Sequence, residues 1–146
     1  MYKIATVTVP GTASTTTVHA GATLDGLGAV DSMLIVASLV GVTGGTLDVY
    51  LQVAPNEADV WVDVAHFAQL AGGASAIIRS FALSRSGQVT TLATVGMNGT
   101  PALAANTVLG GDFGERMRVV TVTGTGVSQG ADITIRLIGS AVKNRA

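Results

Sequence analysis

Across residues 45–69 the chain alternates apolar and polar side chains in two successive runs, with a single turn signal between them. In the first run Leu47, Val49, Leu51 and Val53 alternate with Asp48, Tyr50 and Gln52; in the second Val60, Val62 and Val64 alternate with Trp61, Asp63 and Ala65. A period of two sends successive side chains to opposite faces of a strand, so each run predicts a half-buried strand with one aliphatic face. Pro55 and Asn56 predict the turn, because proline fixes its own φ and offers no ladder donor while asparagine bonds its own backbone. Two aliphatic strand faces need a second layer to cover them. The opposite face, with Asp48, Tyr50, Gln52, Trp61 and Asp63, is polar and aromatic without a catalytic pattern.

The rest of the chain repeats this grammar. Residues 4–9 alternate and stop at Pro10-Gly11, which predicts a short edge strand. The threonine-rich segment 13–24 reads as a strand or an ordered loop. The unbroken apolar run Met33-Leu34-Ile35-Val36-Ala37 predicts a strand covered on both sides. Further strands are expected over 77–83, 89–95, 117–123 and 133–139, separated by turns at Ser86-Gly87 and Asn98-Gly99 and by the glycine-rich segment 124–130. Residues 101–109 read as a short helix or a loop. Dense turn signals without a helical stripe predict an all-β fold, an antiparallel β-sandwich or barrel. One domain over residues 1–146 is expected, with an N-terminal strand at 1–10 available to extend and a frayed tail at 141–146.

Charged residues make up 12% of the chain, against about 25% in an ordinary soluble domain, and mean hydropathy is +0.54. A surface so short of charge favours a chain that associates, with a homodimer as first expectation and a homotrimer as second. A net charge of -1 and no Lys/Arg cluster offer nucleic acid no attraction. Too few aromatics are present for the two girdles of a membrane barrel, so no membrane partner is expected. The absence of cysteine excludes disulfides and thiolate metal sites. The first residues lack the apolar core of a signal peptide, which predicts synthesis in the cytoplasm.

Each chemical motif has a plainer reading. Gly126-Val127-Ser128-Gln129-Gly130 matches the letters of a nucleophile elbow, but a strand is expected after it and both histidines, His19 and His66, precede it, so it reads as a hairpin loop. Asp63 and His66 lie three apart, which on a regular strand puts them on opposite faces, and a third metal ligand is missing. Asp48 and Asp63 are expected to face each other across the hairpin as solvated strand residues rather than as a carboxylate dyad. Asn98-Gly99-Thr100 is a sequon in letters and a turn in substance. No catalytic residue, metal or cofactor is therefore expected. Tyr50 and Trp61 read either as a stacking platform or as packing beneath a loop.

Three stretches, Gly45-Thr46-Leu47-Asp48-Val49-Tyr50-Leu51-Gln52, Trp61-Val62-Asp63-Val64-Ala65-His66-Phe67 and Phe113-Gly114-Glu115-Arg116-Met117-Arg118-Val119, resemble tailed-phage virion proteins, nearest to the small capsid cement or decoration proteins. The resemblance implies a jelly-roll-like sandwich bound to the outside of a phage head, straddling subunits of that phage's major capsid protein. It implies a structural role without catalysis, and a place on the virion exterior. Ile4, Val7 and Val9, as a strand that adds to a neighbour, and Tyr50, Trp61 and Phe67 are the expected partner-interface residues. Two alternatives fit the same sequence: a tail or baseplate component, and a carbohydrate-binding module using Tyr50 and Trp61.

Overall fold

The computed structural model describes residues 2–9, 17–21, 23–39, 44–54, 60–71, 77–85, 96–98, 100–109, 113–124 and 131–142. In chain order the described elements are β1 (Tyr2–Val9), β2 (Thr17–Ala20), a 3-10 turn (Leu27–Ala29), β3 (Val30–Leu39), β4 (Thr46–Ala54), β5 (Val62–His66), β6 (Leu70–Ala71), β7 (Ile77–Ser84), β8 (Thr107–Val108), β9 (Arg116–Thr123) and β10 (Ala131–Val142). They form two antiparallel sheets, one ordered β1-β10-β3-β7 and the other β2-β9-β4-β5-β8, with β6 pairing β4. The fold is an all-β antiparallel sandwich. Four of its pairings are nested, β1 with β10, β2 with β9, β3 with β7 and β4 with β5, and the β10–β3 and β4–β9 pairings join them within the two sheets.

The alternation read from β4 survives intact. Leu47, Val49, Leu51 and Val53 face inward and meet Met117 and Val119 of β9, Ala65 of β5, and Met33, Ile35 and Ala37 of β3, in one buried cluster that also holds Leu27, Phe67, Leu83 and Phe113. Burying one such aliphatic side chain contributes about 1.5–3 kcal/mol, so this shared cluster is the main force holding the sheets face to face. The expectation for β3 needs correction. Met33, Ile35 and Ala37 are buried, but Leu34 on the other face is 40% exposed, so the strand is covered on one side only. A continuous apolar run does not say how many layers will cover it, and here its second face lies on the outside of the sandwich.

The segment 13–24 contains the short strand β2, and 101–109 is a loop with a turn at Ala105-Asn106 followed by the two-residue β8, so the helical option is not taken. β1 ends its sheet, as the edge-strand reading requires. The expected strand 89–95, the turn at Ser86-Gly87 and the Ser128 loop lie outside the described residues.

Where the 3-10 turn meets both sheets, Arg85 acts as a tie. Its Nε donates to Val30 O (2.7 Å), its Nη2 donates to Leu27 O (2.9 Å) and to Gly114 O, and the guanidinium stacks 4.4 Å from the centre of the Phe113 ring. Gly114, at φ 67°, occupies the left-handed region open to glycine.

Thr121 faces the same interior as Val49, its register partner, and its buried hydroxyl has no hydrogen-bond partner. An unpartnered buried hydroxyl costs about 1–3 kcal/mol. Thr121→Val, which keeps the shape and removes the polar atom, is expected to raise stability by about 1 kcal/mol. Urea unfolding should show a higher midpoint with an unchanged slope.

Candidate functional site

The outer face of the larger sheet carries the ordered polar groups, arranged in cross-strand rows. One row runs Arg118 on β9, Gln52 on β4 and Asp63 on β5; the next runs Val120, Tyr50, His66 and Thr107 across β9, β4, β5 and β8. The register of β5 against β4 shifts between Leu51 and Gln52, leaving Val64 as the unpaired bulge residue. This corrects the expected geometry in two ways. Asp63 and His66, three apart, lie on the same face, and Asp63 faces Gln52 rather than Asp48.

The described segments 96–98 and 100–104 are fastened to this face by Asp63. Its Oδ2 accepts from the backbone N–H groups of Gly96 (2.9 Å), Ala102 (2.9 Å) and Leu103 (3.1 Å). Its Oδ1 accepts from Gln52 Nε2 (2.9 Å). Gln52 Oε1 in turn accepts from Arg118 Nε (3.1 Å) and Nη2 (2.8 Å). Both Gln52 and Asp63 are fully buried, and a buried carboxylate persists only when its lone pairs are filled in this way. Glycine is required at 96, since a Cβ there would overlap the backbone of Thr100, Pro101 and Ala102.

Trp61 is held in the same network. Its N–H donates to Asn98 Oδ1 (3.0 Å), Asn98 N–H donates back to Trp61 O (2.8 Å), and the ring lies under Arg118 (4.4 Å) and Arg116 (5.1 Å). Asn98 sits at φ 54°, a conformation that asparagine tolerates at turns, in keeping with the turn expected there. Three of the expected interface residues have their side chains buried within the chain: Tyr50 is 7% exposed, Trp61 5% and Phe67 5%. Tyr50 packs with Leu103 and Val120, and Phe67 meets the Phe81 ring in the interior. Packing beneath a loop, the alternative for Tyr50 and Trp61, is the arrangement found. The backbone of β1 is an edge strand, while the side chains of Ile4, Val7 and Val9 lie outside the described residues.

His66 stacks on Tyr50 with ring centres 3.9 Å apart. Its Nδ1 donates to Leu103 O (2.6 Å) and its Nε2 bonds Asp48 Oδ1 (3.0 Å), while Gln69 Nε2 donates to both Asp48 oxygens (3.1 and 2.8 Å). Both imidazole nitrogens are engaged, so His66 presents no lone pair to a metal or a substrate. Burial disfavours the Asp48 carboxylate, but the hydrogen bonds from His66 and Gln69 and the His66 charge outweigh it and hold the carboxyl below its ordinary range. Among the described residues no three His, Cys, Asp or Glu side chains come together as a metal site. Compared with family models, curated proteins and solved structures, the chain gives no match.

Burial, followed by the charges of Asp48 and Asp63, pushes the Tyr50 hydroxyl up to about 12. A phenol whose folded value is raised favours the fold while it is neutral, so its contribution is complete below the ordinary value near 10 and is lost as pH rises toward 12. In a Tyr2→Phe background, absorbance titration is expected to show the remaining tyrosine ionising near 12, with Asp48→Asn lowering the midpoint. Tyr50→Phe should remove that component of alkaline destabilisation.

Proposed function

We propose that this chain is a structural subunit that decorates the outside of a tailed-phage head, where it bridges neighbouring copies of the major capsid protein. The observation that carries the reading is the nesting of the pairings, with the first strand beside the last and each inner pair enclosed by the next. That order is what results when a long antiparallel ribbon folds over on itself, and we read it as a jelly roll, an architecture that recurs in viral capsid proteins. Two further observations support a structural role. The polar groups of the outer sheet face bond one another and the covering segment, and a charge-poor composition suits a subunit that works by packing. The aromatic groups of a sugar platform, Tyr50 and Trp61, are buried within the chain, which weighs against the carbohydrate-binding reading.

Attachment in this reading rests on apolar and main-chain complementarity. β1, at the end of its sheet, is the strand we assign to pairing with a neighbouring subunit by strand addition. β1 is also paired to β10 along its length, so deleting it would damage the sandwich, and a bulky charge on its outer edge is the sounder probe. Heads prepared without this chain are expected to release DNA at lower temperature, and adding it back should restore resistance. Binding should persist as salt rises from about 0.15 M to about 1 M, where exposed charge pairs are screened within about 3 Å. Labelling confined to tails, or heads equally resistant without the chain, would defeat the proposal. Self-association, with the dimer favoured over the trimer, is tested by sedimentation at micromolar concentration.

A further inference from the structure

At one side of the sandwich the sheet edges part around a cleft of about 120 Å³, lined by Ala65, Phe67, Phe81 and Val108 together with His66, Ala68, Arg79, Ser80 and Asn106. β7 forms one wall, at the end of its sheet, and β5 with β8 forms the other. The Phe67 and Phe81 rings, 5.5 Å between centres, give the cleft an apolar floor. At its rim stands Arg79. In the β3–β7 register Arg79 pairs with Ala37, which is fully buried, so its side chain leaves from the inward face of an edge strand and emerges exposed at the opening. The guanidinium makes one long hydrogen bond, Nη1 to Ile78 O at 3.4 Å, and has no carboxylate partner among the described residues.

We propose that this cleft receives a single glutamate side chain presented by an extended segment of a protein partner. Size argues for one side chain. A small-molecule site occupies about 300–1,000 Å³, whereas this cleft has room for about four waters, enough for a short two-methylene stem and a carboxylate. Charge argues for the carboxylate. The other ionisable group on the cleft wall, His66, already has both ring nitrogens engaged by Leu103 O and Asp48, which leaves Arg79, with one long bond to Ile78 O, as the group with donors to spare for an acceptor. The glutamate stem would lie against the phenylalanines and Val108 while its carboxylate pairs with Arg79 in a bidentate contact. The site follows from the isolated sandwich and needs no assumption about where on a particle the chain sits.

The test uses the intact, isotope-labelled protein and the blocked peptide Ac-Ala-Val-Glu-Val-Ala-NH2, followed by amide chemical shifts. Saturable shifts are expected at Ser80, Phe81 and Val108, with an affinity on the order of 1 mM and at least tenfold weaker binding of the same peptide carrying glutamine. Arg79→Gln should erase the difference between the two peptides, and Arg79→Lys should restore part of it. Arg79 is exposed, so neither change is expected to disturb folding. Equal binding of the two peptides, or a difference that survives Arg79→Gln, would overturn the site. Butyrate binding as tightly as the glutamate peptide would overturn the protein segment as its occupant.

Discussion

Asp63→Asn is expected to lower stability by about 3 kcal/mol, although the two side chains have nearly the same shape, because direction is fixed along the whole row. Arg118 can only donate, so Gln52 must turn its oxygen toward Arg118 and its amide nitrogen toward Asp63. Asp63 must then accept at both oxygens, from Gln52 on one side and three backbone N–H groups on the other. An asparagine has one acceptor oxygen. Pointed at the backbone groups, it sets its own N–H₂ against that of Gln52; pointed at Gln52, it strands three backbone donors, those of Gly96 and Leu103 in buried bonds. Gln52→Glu alone places two carboxylates together and is also destabilising. In the double variant the introduced glutamate accepts both from Arg118 and from the introduced asparagine, and most of the loss is expected to return. Urea unfolding of the four proteins gives the coupling energy directly. If the double variant is as unstable as the sum of the singles, the directional account is wrong. Hydrogen exchange at Gly96, Ala102 and Leu103 should rise in Asp63→Asn and fall back in the pair.

Arg85→Ala is the second large expected effect, again about 3 kcal/mol. It leaves the carbonyls of Leu27, Val30 and Gly114 without this donor and removes the cation stacked on Phe113. Arg85→Lys tests geometry against charge. A lysine keeps the charge but concentrates its donors at one point, and it is expected to recover less than half of the loss. Full recovery would show that charge at this position, rather than the fork spanning three carbonyls, holds the junction. The same measurement distinguishes a local effect from a global one: exchange should rise first at Leu27 and Met117, whose N–H groups bond Glu115 O and Leu24 O beside the tie.

The strands of the central layer were legible because their chemistry is local. Leu47, Val49, Leu51 and Val53 alternate without interruption, and that pattern alone placed them inward. β5 was harder. Its alternation breaks at Val64, and nothing in Val62-Asp63-Val64-Ala65-His66 marks which residue is extra, so the same-face placement of Asp63 and His66 could not be read. The network around Asp63 was hidden for another reason. Its partners at Gly96, Ala102 and Leu103 are more than thirty residues away and contribute backbone N–H groups, which every residue but proline possesses. The available signal was the isolated carboxylate within Val60-Trp61-Val62-Asp63-Val64-Ala65, a charge that a buried strand retains only when something satisfies it. Trp61 and Tyr50 invited a binding interpretation because alternation assigns a face, not what covers that face.

The pairing of β1 with β10 sets how the sandwich carries mechanical load. Tyr2 lies beside Leu137 and Val9 beside Ala131, so the start of β1 and the far end of β10 lie at the same end of the pair. In an antiparallel pair the hydrogen bonds run across the strands. Tension drawing those two strand ends apart therefore opens the bonds one after another, as a zipper, and no set of bonds shares the force at once. Tension between the start of β1 and the start of β10 instead acts along the strands and loads the whole ladder in shear. Handles placed at Tyr2 and Val142 should find a weak, peeling molecule, and handles at Tyr2 and Ala131 a much stiffer one. A sandwich wired in this way resists strain best when gripped at opposite ends of its outermost pair.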